Sequence, residues 1–199
     1  MRPVTVVTIC LCLVLSIEAQ RPKPCESPPL LEGMVTVMES PTFKMTGSLF
    51  FYDGLLKRLR LLANATGDAQ DTLLLFRERV QYRIFYQNQT CVQSALDTPF
   101  RPLEVPPDAQ FLNQLVFGGS SQPGEGVLVN QWMGKVPETQ GTYYSHFTKF
   151  GCLPFSEIYY TPTNSWYISY FNMGRGIRDP NVFIPPPFCE EKGSRPEVL

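Results

Sequence analysis

Catalysis needs nucleophiles, bases or metal ligands at defined spacings, and this chain offers few. Its one histidine is His146. No HExxH or GxSxG motif is present, and no Cys–His pair has a thiol to spare. Carboxylates such as Glu78, Glu104, Glu125, Glu157 and Asp179 are scattered, with no pair at a spacing that marks acid–base work. The run Gly118 to Gly126 matches neither a dinucleotide fingerprint nor a P-loop, and it reads as a plain loop. A formal net charge of −1, with Lys and Arg dispersed, leaves no nucleic-acid footprint. His146 lies in an aromatic strand and reads as a packed or hydrogen-bonded side chain. The inventory points away from an enzyme.

What the chain has instead is apolar surface. Eleven of its 25 Phe, Trp and Tyr residues fall between Tyr143 and Met173. Two strand-like runs flank the turn Pro162-Thr163-Asn164-Ser165, and both carry large apolar groups at odd and even positions. Trp166, Ile168 and Tyr170 point one way; Tyr167, Phe171 and Met173 point the other. A sheet with one wet face alternates apolar with polar, so both faces here read as covered, or one lines an apolar cavity.

At the start of the chain, residues 1–19 read as a signal peptide: Arg2, an apolar run from Val4 to Ile17, and a small residue, Ala19, at the cut. Residues 20–199 then form one domain with an expected flexible tail at about 190–199. Four cysteines remain in it, Cys25, Cys91, Cys152 and Cys189, which in an oxidising compartment make two disulfides with three possible pairings. Proline at 22, 24, 28 and 29 keeps the N-terminal arm extended. Short antiparallel strands follow, with Asp53-Gly54 as a hairpin signal. Sequons at Asn64 and Asn88 fall where strands break, and both are expected to carry N-glycans. After a proline-rich interruption from Asp97 to Pro107, the stripe Phe111, Leu112, Leu115 and Val116 predicts a helix, opened by Pro107-Asp108 and ended by Gly118-Gly119. Strands resume from Val127 to Met173. Phe183 and Phe188, in the irregular segment beyond, read as plugs at one end of the core.

About ten strands and one helix leave more large side chains than a single tidy core needs. Three solutions are open at this point: a lipid-filled cavity, self-filling by side chains, or burial against a second copy.

The sequence resembles the ependymin-related family of secreted and lysosomal glycoproteins, close to the mammalian ependymin-related type. The matching pieces are Pro22 to Cys25 (PKPC), Tyr52-Asp53-Gly54, Gln89 to Cys91, Pro99 to Pro106 (PFRPLEVP), Gly118-Gly119, Val129 to Trp132, and Ile177 to Cys189 (IRDPNVFIPPPFC). The resemblance implies a mainly β fold: two antiparallel sheets forming a half-open barrel around an apolar pocket, lipoprotein-carrier-like, with at least one packed helix. It implies the disulfides Cys25–Cys152 and Cys91–Cys189, a homodimer, and binding of anionic lipids or gangliosides in an acidic lumen. Earlier members of the family are linked to calcium and cell-matrix adhesion. No EF-hand is present here; calcium is possible, in the Asp179 loop or through carbohydrate, and no cofactor is required.

The expected function is therefore non-enzymatic lipid binding in the secretory pathway, lysosomal or secreted, with peripheral contact to anionic membranes at acidic pH. Protonation of carboxylates and of His146 would turn a near-neutral chain positive there. By strand alternation the pocket residues are Tyr144, Trp166, Ile168 and Tyr170, with Trp132 and Phe85. The alternative is a calcium-associated adhesion protein whose apolar surface serves dimerisation.

Overall fold

The computed structural model describes residues 21–63 and 71–191, with side chains as far as Cys189. The signal segment, Asn64 and the last eight residues lie outside the described residues. Period-two alternation gives eleven strands: β1 (Leu30–Ser40), β2 (Lys44–Asp53), β3 (Arg58–Ala63), β4 (Asp71–Leu75), β5 (Val80–Phe85), β6 (Thr90–Ala95), β7 (Gln110–Gly118), β8 (Gly126–Val136), β9 (Gly141–Thr148), β10 (Pro154–Tyr160) and β11 (Ser165–Arg175). They form one antiparallel sheet in the order β6-β5-β4-β3-β2-β1-β11-β10-β9-β8-β7. The expected pair of sheets in a half-open barrel is thus corrected to a single open sheet whose edges, β6 and β7, do not pair with each other. One central pairing, β1 with β11, joins the two meanders.

The expected packed helix is also corrected. Residues 110–118 are strand β7, laddered to β8. Among the described residues, the helical pieces are two 3-10 turns, at Pro137–Thr139 and Pro180–Phe183, and the four-residue helix Phe188–Glu191. The misleading stripe has a physical source. A bulge between Phe111 and Asn113 leaves Leu112 as an extra residue, which shifts the alternation and mimics a helical period. Gly118, with φ of 97°, starts the hairpin to Gly126 instead of capping a helix.

The segment from Leu96 to Ala109 connects the two edge strands, and it does so across one face. The Leu96 N–H bonds the Arg79 carbonyl at 2.9 Å. Phe100 stacks on Tyr52 of β2, and the Leu103 N–H donates to the Tyr52 hydroxyl. Two residues on, Val105 packs with Trp132 of β8, Phe147 of β9 and Cys152. Strands β2 and β8 are five steps apart, roughly 24 Å in a flat sheet. Two residues of chain span only about 7 Å. The sheet therefore bows around this strap, which lies on the concave side. Leu31, Val35, Phe50 and Tyr52 form the concave core under it. The Cys25–Cys152 disulfide and the Glu26–Glu104 bridge tie the N-terminal arm to the same face.

The convex face of β2–β6 is covered by the C-terminal segment. Val182, Phe183 and Phe188 pack on Leu73 and Ile84, and Cys189 is bonded to Cys91. Phe183 thus closes a core, as expected, with only 3% of its surface exposed. Arg60 fastens the segment: its guanidinium pairs with Asp71 at 2.5 Å and donates to the Val182 carbonyl and the Tyr86 hydroxyl. Arg58, paired with Asp53, lies over the Phe183 ring at 4.4 Å. Elsewhere on the convex face His146 is buried as well, with the Phe117 ring against it at 5.3 Å.

Candidate functional site

The strap and the concave face border a half-open cavity of about 540 Å³. Its floor is Tyr143, Ser145 and Phe147 of β9 with Glu157 and Tyr159 of β10. Its roof is the strap from Pro99 to Asp108, and Lys135 to Glu138 closes one end. Proline at 99, 102 and 106 keeps the roof out of helix and out of the main sheet, so it remains an extended lid that also carries Arg101, Glu104 and Asp108. Two glycines let the tyrosines lie close to the sheet. A Cβ on Gly134, which faces Tyr143 in register, would collide with the Tyr143 ring and hydroxyl; one on Gly141 would sit 2.5 Å from the hydroxyl of Tyr159. Tyr159 also hydrogen-bonds Thr139 and stacks on Trp166 with ring centroids 5.5 Å apart.

Burial weighs on the polar groups of this cavity. It pushes the Glu157 carboxyl above its ordinary value, and the charge of Arg101 pulls only partly back. Burial pushes the Tyr143 hydroxyl up to about 12, with Asp108 and Glu157 adding to the rise. Ser145, directly across from both Glu157 and Trp132, has a buried Oγ with no hydrogen-bond partner, and Trp132 Nε1 is in the same state. Four lining residues, Glu104, Asp108, Glu138 and Glu157, are acidic, against the bases Arg101 and Lys135.

The six residues picked out from the sequence divide. Trp166, Ile168 and Tyr170 share the concave face, as alternation indicated: Trp166 lies across from Tyr159, Ile168 across from Glu157, and Tyr170 meets Phe50 edge-on at 5.6 Å. Trp132 is on that face too, buried between Val105 and Phe111. Phe85 is concave but far away on β5, next to the edge strand. Tyr144 is on the convex face, against Tyr160. None of the six lines the cavity; its floor is the odd-numbered residues of β9. Met173, expected beside Phe171, joins the concave core instead, because the bulge between Glu32 and Met34 shifts the end of β11. The signal for the true floor was there in Tyr143 and Phe147, but Tyr144 competes with them by type alone.

On the convex side a cross-sheet ladder runs Met45, Met38, Tyr167, Ile158, Tyr144, Met133, one residue from each of six adjacent strands. Met45 is 67% exposed and Tyr167 37%, with Phe171 and Tyr160 exposed beside them. His146 lies on this side, bonded through Nδ1 to the Ser156 hydroxyl at 3.0 Å. Burial lowers its pKa, with the contact to Ser156 opposing, so it charges less readily than an ordinary histidine. Asn88 sits exposed at the β5–β6 turn, its Oδ1 accepting from the Thr90 hydroxyl at 2.6 Å. Asp179 caps the 3-10 turn at Pro180 by accepting from the Asn181 N–H. Among the described residues, no group of three or more His, Cys, Asp or Glu side chains is placed to hold a metal ion.

Comparison with known proteins fits this chain into a group. The ependymin family model matches residues 64–189. Ependymin-2 of Carassius auratus is 33% identical over 190 residues, covering 93% of this chain and 87% of its own length. The chain belongs to the ependymin family. Ependymin of Notemigonus crysoleucas is 32% identical over 189 residues, with 93% and 87% covered, and ependymin of Esox lucius is 34% identical over 180 residues, with 87% and 80% covered. Ependymins are non-catalytic, generally secreted glycoproteins; this chain is accordingly not an enzyme, and its family is consistent with the secretory pathway. Among solved structures, an uncharacterized conserved protein from Thermus thermophilus superposes with a TM-score of 0.52 at 10% identity, over 89% of this chain and 94% of its own. It shares the fold. A LolA superfamily protein from Nitrosomonas europaea reaches only 0.38, too low to establish as much.

Proposed function

We propose that this ependymin-family chain is a non-enzymatic lipid-binding protein, and that its site is the cavity between the strap and β8–β10. The observation that carries the reading is the cavity itself. A recess of about 540 Å³ with prolines above and Tyr143, Phe147 and Tyr159 below matches the size and lining of a small-molecule site. The proposed ligands are anionic phospholipids or gangliosides, taken up at acidic pH in the lysosomal lumen or after secretion. The charge census supports the pH preference. At neutral pH the four carboxylates outnumber Arg101 and Lys135 and repel an anionic head. Burial raises the Glu157 pKa, so this carboxyl takes a proton more readily than an ordinary glutamate as the pH falls. Within the family, the resemblance of the segment IRDPNVFIPPPFC supports the reading of a mammalian ependymin-related type.

Co-sedimentation with phosphatidylserine vesicles, and mass spectrometry of lipid extracted from the purified protein, test this. Stronger binding at acidic than at neutral pH is expected, with Glu157→Gln narrowing the difference. No co-purifying lipid, together with equal binding at both pH values, would sink the proposal.

The convex ladder favours a second reading, in which two copies pack through that face as an adhesion protein. Calcium could then bind in the Asp179 loop or through a glycan, and a thermal melt with and without calcium addresses it.

A further inference from the structure

A second cavity, of about 520 Å³, lies between the N-terminal arm and the β7–β8 edge. The wall formed by Phe111, Trp132, Val105 and Phe147 stands between it and the strap cavity, since Phe147 lines the first space and Phe111 the second. Its charge is of the opposite kind. Lys23 from the arm and Lys149 after β9 line it, and no carboxylate does. Neither lysine is in a salt bridge among the described residues. Lys149 Nζ donates to Gln114 Oε1 at 3.5 Å, and Gln114 Nε2 donates to Asn130 Oδ1 at 2.8 Å. Asn130 is buried, with 7% of its surface exposed, so this chain of bonds anchors the lysine to the sheet. The arm is held in place by the Cys25–Cys152 disulfide and by the Val105 N–H bond to the Cys25 carbonyl. The cavity therefore has two exposed cations from distant parts of the chain on its rim, with amide groups behind them.

Two like charges brought together without a counter-charge cost stability unless something uses them. With no carboxylate in the lining to offset them, the two lysines give this recess a positive potential that draws anions. An ammonium and an amide N–H are the donors that oxyanions accept from, and charge-assisted bonds to them are the strong ones. We propose that Lys23, Lys149 and the Gln114–Asn130 pair form a binding site for an oxyanion group, a phosphate in the first instance. Phosphate chemistry comes from two sources, a free soluble anion or the head of an acidic lipid. The site does not depend on the strap cavity holding a lipid tail.

The test is calorimetric titration of the full mature chain with inorganic phosphate, beside flotation with phosphatidylcholine vesicles with and without phosphatidic acid. Saturable binding to at least one phosphate probe is expected. The double variant Lys23→Gln/Lys149→Gln should weaken it about tenfold or more, since two charge-assisted bonds are lost. Lys44→Gln, at an exposed position outside both cavities, should leave it unchanged. Arginine at positions 23 and 149 should restore binding, which separates lost charge from lost folding. Binding to phosphatidic acid vesicles without free phosphate assigns the site to a lipid head; binding to free phosphate assigns it to a soluble anion; both results support the site. Wild-type affinity in the double glutamine variant, or no saturable binding of either probe, overturns it. The strap-cavity reading fails separately, through absence of extracted lipid.

Discussion

The backbone N–H of Leu103 donates to the hydroxyl of Tyr52 at 3.1 Å, and this one bond fixes the strap to the far side of the concave face. Burial raises the Tyr52 pKa, the bond from Leu103 opposing, so the hydroxyl stays neutral across the physiological range. Tyr52→Phe removes the acceptor and leaves a part-buried amide unpaired, at a cost of about 1–2 kcal/mol. Chemical denaturation should show that loss, and hydrogen exchange at Leu103 should speed up more than exchange in β1 or β11. Unchanged exchange at Leu103 would mean that the strap is held by packing of Phe100 and Val105 alone.

Much of the β1–β6 meander was legible because its turns carry chemistry that alternation alone does not. Asp53 marks the β2–β3 hairpin, and it works by bonding the Leu56 N–H at 2.8 Å and pairing with Arg58. Asn88 marks another, in the same local manner. The pairing of β1 with β11 has no such marker: Val35 meets Tyr170 across 135 positions of chain, and only burial specifies it. The bulge at Leu112 hid β7, since one extra residue turns a period of two into something near 3.6. The cavity was least visible. Its floor needs the phase of β9, and Tyr143 and Tyr144 are identical in type. Its roof is a proline-rich segment that reads as a mere connection until the two edges it joins are known.

Arg60 and Asp71 are buried together, with side chains 5% and 3% exposed. The guanidinium is bidentate and also holds the Val182 carbonyl, so the pair couples β3 and β4 to the C-terminal cover. Removing one partner strands the other charge. Asp71→Ala or Arg60→Ala should each cost about 3–5 kcal/mol, with loss of the C-terminal packing over Leu73. A double replacement by apolar residues should cost far less. Urea denaturation of the three variants checks this; losses below about 1 kcal/mol in both single variants would show that the pair is compensated by water.

Two groups give stability an opposing pH dependence. The Glu157 pKa is raised from its ordinary 4.5, so its contribution is complete below that value and is lost as pH rises through the folded value. The His146 pKa is lowered from 6.5, so its contribution is complete above that value and is lost as pH falls through the folded value. Melting temperatures across this range should therefore respond differently to two substitutions. Glu157→Gln should flatten the decline on the alkaline side. His146→Asn, which keeps a polar atom near Ser156, should flatten the decline on the acid side. Curves that stay parallel to wild type in both variants would remove these residues from the account.

The convex ladder offers a direct test of assembly. Met38, Tyr167, Ile158 and Tyr144 lie side by side across β1, β11, β10 and β9, about 4.8 Å apart. An apolar row of this width, facing out from a rigid sheet, is what a second copy of the same face would cover. Tyr167→Lys puts a charge at its centre. The tyrosine is 37% exposed, so the monomer should lose no more than about 0.5 kcal/mol. Across a two-fold axis the same substitution brings two ammonium groups into one apolar interface, where burying unpaired charge is costly. Sedimentation velocity should then show wild-type dimer and variant monomer at equal concentration. Equal sedimentation of the two, with the wild type already monomeric, would leave the ladder without a second copy to cover it; equal sedimentation as dimers would move the interface to another face.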